Sequence, residues 1–107
     1  MTATLSMRQE HAAIVQYVLR QYLPAGARVF VFGSRAHGVA QPYSDLDLAL
    51  EWTRPLGLDL LGQIAEALSE SDLPYRVDIV DLTTADPAFR VRIAADCIPL
   101  PIGRDAE

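Results

Sequence analysis

Hydrophobic positions along this chain switch between two periods. From Ser6 to Tyr22 the apolar residues Ile14, Val15, Val18, Leu19 and Tyr22 recur at helical spacing, so this stretch predicts an amphipathic helix. Ser6 and Gln9 have the spacing of a capping box at its start, and Pro24 with Gly26 ends it. Val29 to Phe32 is a short, wholly apolar run, read as a strand buried on both faces. Gly33-Ser34 breaks that run, and Ser34 to Gly38 is expected to form a brief helical turn before a polar loop through Gln41, Pro42 and Tyr43. Leu46 to Trp52 predicts a second strand. Leu58 to Glu70 predicts a second helix, with Leu60, Leu61, Ile64 and Leu68 on one side. Tyr75 to Leu82 predicts a third strand. Asp86-Pro87 has the form of an N-cap with proline in the first turn, opening a last helix to about Asp96. Cys97 to Leu100 is a candidate edge strand, weakened by Pro99. The order α-β-turn-β-α-β-α, with a possible final β, implies an α+β fold: a small mixed β-sheet flanked by helices.

Composition changes this picture little. A chain of 107 residues, half of them hydrophobic and 21% charged, suits one soluble globular domain over residues 1–107. No apolar run approaches the roughly 20 residues of a membrane span, and the N-terminus lacks the apolar centre of a secretory signal. Cys97 is the single cysteine, so there is no disulfide framework or cysteine metal cluster, and a cytoplasmic location is expected. A net charge of −5 argues against a general nucleic-acid binder. It leaves room for a nucleotide site, where magnesium would supply positive charge.

The chemistry-bearing residues stand out against this background. Side chains alternate faces along a strand, so Asp45 and Asp47 point one way while Leu46, Leu48 and Leu50 point into the core. Two carboxylates a few ångströms apart repel by about 4 kcal/mol at an effective dielectric of 20. Water, a proton or a cation has to offset that repulsion, and magnesium favours such oxygen ligands. Gly33-Ser34, directly after a strand, lets backbone approach a ligand closely and offers N–H and hydroxyl donors to an anion. Asp78 sits among apolar neighbours in the third strand and joins Asp45 and Asp47 if the two strands are adjacent; the plainer alternative is an ion pair with Arg76 on the same face. Asp81 has the opposite parity and ranks behind Asp78. Arg35 either contacts phosphate or braces the loop against a carboxylate.

Gly33-Ser34, ten intervening residues, Asp45-Leu46-Asp47 and a later Asp78 resemble the nucleotidyltransferase superfamily that includes polymerase beta. The wording GSRAHG…SDLDLALE is similar to its minimal nucleotidyltransferases, the MNT proteins, over nearly the whole chain. The resemblance implies the nucleotidyltransferase fold, with the site on one sheet face. It implies transfer of a nucleoside monophosphate, AMP from ATP, to an acceptor hydroxyl. Gly33, Ser34 and Arg35 would then bind the nucleotide. Asp45, Asp47 and Asp78 would be the catalytic carboxylates and the ligands of one or two Mg2+ ions. His37 departs from the family pattern, which carries a second basic residue there.

The resemblance also implies a partner, because the chain has no residues left for an acceptor-binding domain. MNT proteins pair with small helical HEPN proteins as toxin–antitoxin systems, in which the HEPN member is an RNA-cleaving toxin that its partner silences by adding AMP to a tyrosine. A hetero- or homo-oligomer is compatible with this, and no direct contact with nucleic acid is expected. Two alternatives stay open: an antitoxin that acts by contact alone, and a small-molecule (antibiotic) nucleotidyltransferase completed by a second chain. Trp52, Tyr17 and Tyr22 are expected to pack, Arg90 and Arg92 to form a solvated helix face, and residues 103–107 to fray. Surplus apolar residues such as Leu58 would suit a partner surface.

Overall fold

The computed structural model describes residues 5–38 and 40–102. Its first helix, α1 (Gln9–Tyr22), leads into β1 (Arg28–Phe32), a single 3-10 turn at Gly33–Ala36, and β2 (Leu46–Glu51). There follow α2 (Leu58–Ser69), β3 (Val77–Asp81), a second 3-10 turn at Leu82–Thr84, α3 (Pro87–Ala94) and the two-residue β4 (Ile98–Pro99). The sheet order is β3-β2-β1-β4. β1 is antiparallel to both β2 and β4, while β2 and β3 are parallel, joined through α2 as a parallel pair requires. This is the expected mixed sheet with helices on its faces, and among the described residues no helix is long and apolar enough to cross a membrane.

The alternation of β2 decides how the layers form. Leu46, Leu48 and Leu50 are fully buried against α1 and α2, where Val15, Leu19, Ile64 and Leu68 meet Val29 and Val31 of β1. Fully burying each such aliphatic side chain contributes about 1.5–3 kcal/mol, so this layer holds the fold together. The other face is thinner. There α3 sets Phe89 and Ile93 over Phe30, Phe32, Ala49 and Val80, with Phe32 and Phe89 meeting edge to face at 5.7 Å between ring centres. β1 is therefore buried on one face and half covered on the other, because an eight-residue helix cannot roof four strands.

Several expected details resolve differently. α1 begins at Gln9 with Arg8 at its N-cap and no side-chain cap. Ser6 does not complete the capping box: its N–H donates to the Arg35 carbonyl at 2.7 Å and its own carbonyl accepts from the Arg35 guanidinium. Tyr17, expected to pack, is 61% exposed, whereas Tyr22 packs against the core edge. Leu58 lies open at the start of α2. Pro99 is accommodated opposite Phe30 on the edge strand, where a missing N–H does not interrupt an inner ladder. Trp52 packs as expected, its indole N–H donating to the Ala25 carbonyl at 3.1 Å. Arg90 reaches Glu51 of β2 at 3.6 Å, and Arg92 lies over the Phe89 ring. Residues 103–107 lie outside the described residues.

Candidate active site

Strand register gathers the residues that the chain scatters. Phe32, the last residue of β1, is the antiparallel partner of Asp47, which brings the following Gly33-Ser34 turn against the start of β2. Asp47 is also the parallel partner of Asp78 on β3. Asp45 lies two residues before Asp47 on the same side, so all three aspartates belong to the face opposite the leucine core. The ten-residue spacer between Ser34 and Asp45 is thus the connection that turns β1 back into β2 at one corner of the sheet.

Gly33 is required at that corner. Its φ is +76°, a backbone region that side-chain-bearing residues rarely adopt, and a Cβ there would overlap Asp47 Oδ2 and lie 3.3 Å from its Cγ. The turn therefore rests its backbone directly on a carboxylate. Ser34 is half-buried within the 3-10 turn, and its carbonyl accepts from His37 N–H at 3.1 Å. His37 itself is exposed and turns toward Asp96 beyond α3, with Nε2 to Oδ2 at 3.9 Å.

Arg35 braces the loop, the second of its two expected roles. It is only 4% exposed, and its guanidinium is spent on carbonyls: Nε and Nη2 donate to Ser44 O at 3.1 and 2.8 Å, Nη1 to Ser6 O at 2.9 Å and Nη2 to Pro42 O at 3.1 Å. Its plane covers the Tyr75 ring at 3.9 Å. The acceptors are main-chain oxygens, not the carboxylate the sequence suggested. A buried guanidinium needs such saturation, and here it clamps the residues immediately preceding Asp45. Arg35 thus acts on the site by fixing that loop through its carbonyl contacts. A cleft of about 660 Å³ borders this loop, with Arg8, His11, Arg35 and Tyr43 among its walls, but none of the three aspartates lines it.

The aspartates form a repulsive set. Burial pushes the Asp47 carboxyl above its ordinary value, the charges of Asp78 and Asp45 push it further, and Arg76 partly offsets them. Asp78 is held by Arg76, whose Nη2 and Nε donate to Oδ1 at 3.1 and 3.3 Å. Arg76 in turn holds its proton more firmly, first through that hydrogen bond and the Asp78 charge, then through Asp45 and, less, Asp47. Both alternatives for Asp78 therefore coexist: it stands beside Asp47 in the register, and it pairs with Arg76. As the side chains stand, no three His, Cys, Asp or Glu groups among the described residues form a set that could hold a metal by themselves. Asp78 keeps its place beside Asp47 in the register while its Oδ1 accepts from the Arg76 guanidinium. What the corner offers is hard oxygen donors whose mutual repulsion Arg76 only partly offsets, with Asp78 acting on Asp47 more strongly than Asp45 does. That suits an ion held by one or two carboxylates and completed by substrate phosphates.

Asp81, the lower-ranked acid, has a structural role. It is 8% exposed and accepts from Thr83 N–H and Leu56 N–H, each at 2.9 Å, tying the loop after β2 to the turn after β3. Sequence reasoning passed over Arg76 as anything but a possible partner for Asp78. Its position two residues before Asp78, on the same strand face, was the available signal.

A small mixed sheet, with a glycine-serine turn resting on an Asp-x-Asp strand and a third aspartate in register, defines a protein of the nucleotide-handling, phosphoryl-group chemistry class. The family model for the polymerase beta nucleotidyltransferases matches residues 15–100, and the chain belongs to that family. It is similar to a Haemophilus influenzae protein described as a probable protein adenylyltransferase MntA, at 46% identity over 88 residues, covering 82% of this chain and 76% of that protein. Among solved structures it resembles a chain in a toxin–antitoxin crystal structure with AMP-PNP: 26% identity, TM-score 0.73, covering 84% of this chain and 72% of that one. A chain in the rebuilt structure of a tri-AMPylated Shewanella oneidensis HEPN toxin in complex with MNT antitoxin is also similar. It has 24% identity and a TM-score of 0.71, covers 89% of this chain and 72% of that one, and at that identity bears on the fold alone.

Proposed function

We propose that this chain is the antitoxin of a HEPN-type pair and moves AMP from ATP to a hydroxyl of its helical partner. The observation that carries the reading is the register itself: Phe32 opposite Asp47 and Asp47 beside Asp78 bring the Gly-Ser turn and the aspartates to one open corner of the sheet. The relative described as a probable protein adenylyltransferase, and the similar chain in a toxin–antitoxin structure with AMP-PNP, support the same substrate and the same kind of partner.

In this reading Gly33 and Ser34 receive the triphosphate, with Gly33 allowing the phosphate to approach the backbone beside Asp47. Asp45 and Asp47 would hold one or two Mg2+ ions, and Asp78 would complete the set and orient the acceptor hydroxyl. Bound there, the ions supply charge neutralisation for the phosphates and for the attacking and leaving oxygens of an in-line displacement. Arg35 keeps the Ser44–Asp45 backbone in place by its carbonyl contacts. Catalysis of this type is mostly positioning and charge stabilisation, which is what a rigid strand corner provides.

The test is transfer from labelled ATP to the co-purified partner, with the partner's mass checked for added AMP. Asp45→Asn is expected to reduce labelling to background and to lose neutralisation of the toxin. If Asp45→Asn still neutralises as well as the unaltered chain, contact alone suffices and the enzymatic account of silencing fails.

A further inference from the structure

Among the described residues, Arg76 is the cation that donates to one of the three aspartates. It directly precedes β3, and its carbonyl accepts from Leu46 N–H at 2.8 Å, so its backbone is fixed at the edge of the aspartate corner. Its side chain is 74% exposed and has no buried packing to define it; two donors converge on one oxygen of Asp78. Asp45 and Asp47 act on it electrostatically as well. A guanidinium and a divalent ion compete for the same carboxylate oxygen, because each needs its lone pairs and each would neutralise the same charge.

We propose that Arg76 is a positioning residue that guards the third carboxylate. In the free protein it is the internal counter-cation of the corner and occupies Oδ1 of Asp78, which stands beside Asp47 in the register. A divalent cation has to replace it at Asp78 before the three carboxylates act together. This deepens the proposed function and rests on it. The size of the effect follows from exposure: an ion pair this open to water is weak, so Arg76 tunes metal occupancy and does not block it. Phosphates arriving with the nucleotide give the released guanidinium a second anionic partner, which links loss of the Arg76–Asp78 pair to substrate arrival.

The experiment is Mn2+ binding to the full chain without nucleotide at low ionic strength, followed by the resonance signal of the free ion. Arg76→Gln is expected to bind Mn2+ about threefold to fivefold tighter than the unaltered chain. Arg76→Lys, which keeps the charge, stays close to the unaltered chain. In an Asp78→Asn background the Arg76→Gln gain disappears, because the coupling runs through Asp78. The gain also shrinks as salt is added. Unchanged or weaker binding by Arg76→Gln overturns the proposal, as does an equal gain in the Asp78→Asn background, which would make Arg76 a general surface charge. Asp47→Asn separates this from the underlying reading: if Mn2+ binding does not depend on Asp47, the metal corner itself is wrong, whatever Arg76 does. Circular dichroism and melting of each variant check that the fold is intact.

Discussion

The two faces of strand β2 are one residue apart in sequence and opposite in purpose. Leu46, Leu48 and Leu50 are fully buried between α1, α2 and the sheet. Asp47, Ala49 and Glu51 look the other way, toward a face that α3 covers only in part. The first face gains stability from removing apolar surface from water. The second carries a half-buried carboxylate whose charge is raised in energy by burial and by two like neighbours. A six-residue strand can do both because its side-chain period is two, so every other residue is free of the core's demands. The cost of the charged face is offset by the leucines on the reverse of the same backbone.

The sharpest way to break this comparison is to alter adjacent positions. Leu48→Ala is expected to destabilise the fold by about 2–5 kcal/mol in denaturant unfolding, the usual range for a large-to-small change in a packed core. Asp47→Asn should do the reverse, abolishing AMP transfer while raising the melting temperature without added metal, since it removes a charge that the fold tolerates poorly. If Asp47→Asn destabilised the protein as Leu48→Ala does, the division of labour between the faces would be lost. Gly33→Ala comes next. A Cβ there strains a backbone at φ +76° and displaces the Asp47 carboxylate, so transfer should fall by about a hundredfold, while stability falls by about 1 kcal/mol. An active Gly33→Ala variant would mean that the turn is not seated on the site.

The smallest effect lies in pH. The Asp47 carboxyl titrates above its ordinary 3.8 in the folded chain, so between 3.8 and the raised value the folded state binds more protons than the unfolded. Its contribution is therefore a loss of stability as pH rises through that window, and no contribution below it. Metal-free melting curves of the unaltered chain and Asp47→Asn should converge as pH falls through the window and separate above it. Curves that stay parallel would place the repulsion elsewhere.

Much of this was legible in the chain. The leucines at 46, 48 and 50 fixed which side of β2 faces the core, and the same parity put Asp45 and Asp47 together. Gly33-Ser34 marked a turn at the end of a buried run. Other features followed from contacts between distant segments. Ser6 has the spacing of a cap, but Arg35, 29 residues away, claims its carbonyl instead. Arg35 looked equally suited to phosphate or to bracing, because its burial against Tyr75 depends on how β3 is placed. Tyr17 sits near an apolar stripe, yet it is 61% exposed.

By itself, then, the amino-acid order determined the elements, the inward side of β2 and the identity of the acidic residues, since these rest on local periodicity and on turn chemistry. Only the tertiary structure decided that β3 lies parallel to β2 with Asp78 level with Asp47, and that Arg76 arrives with it. Register between strands separated by a whole helix is set by how that helix packs, and no short window of sequence contains that.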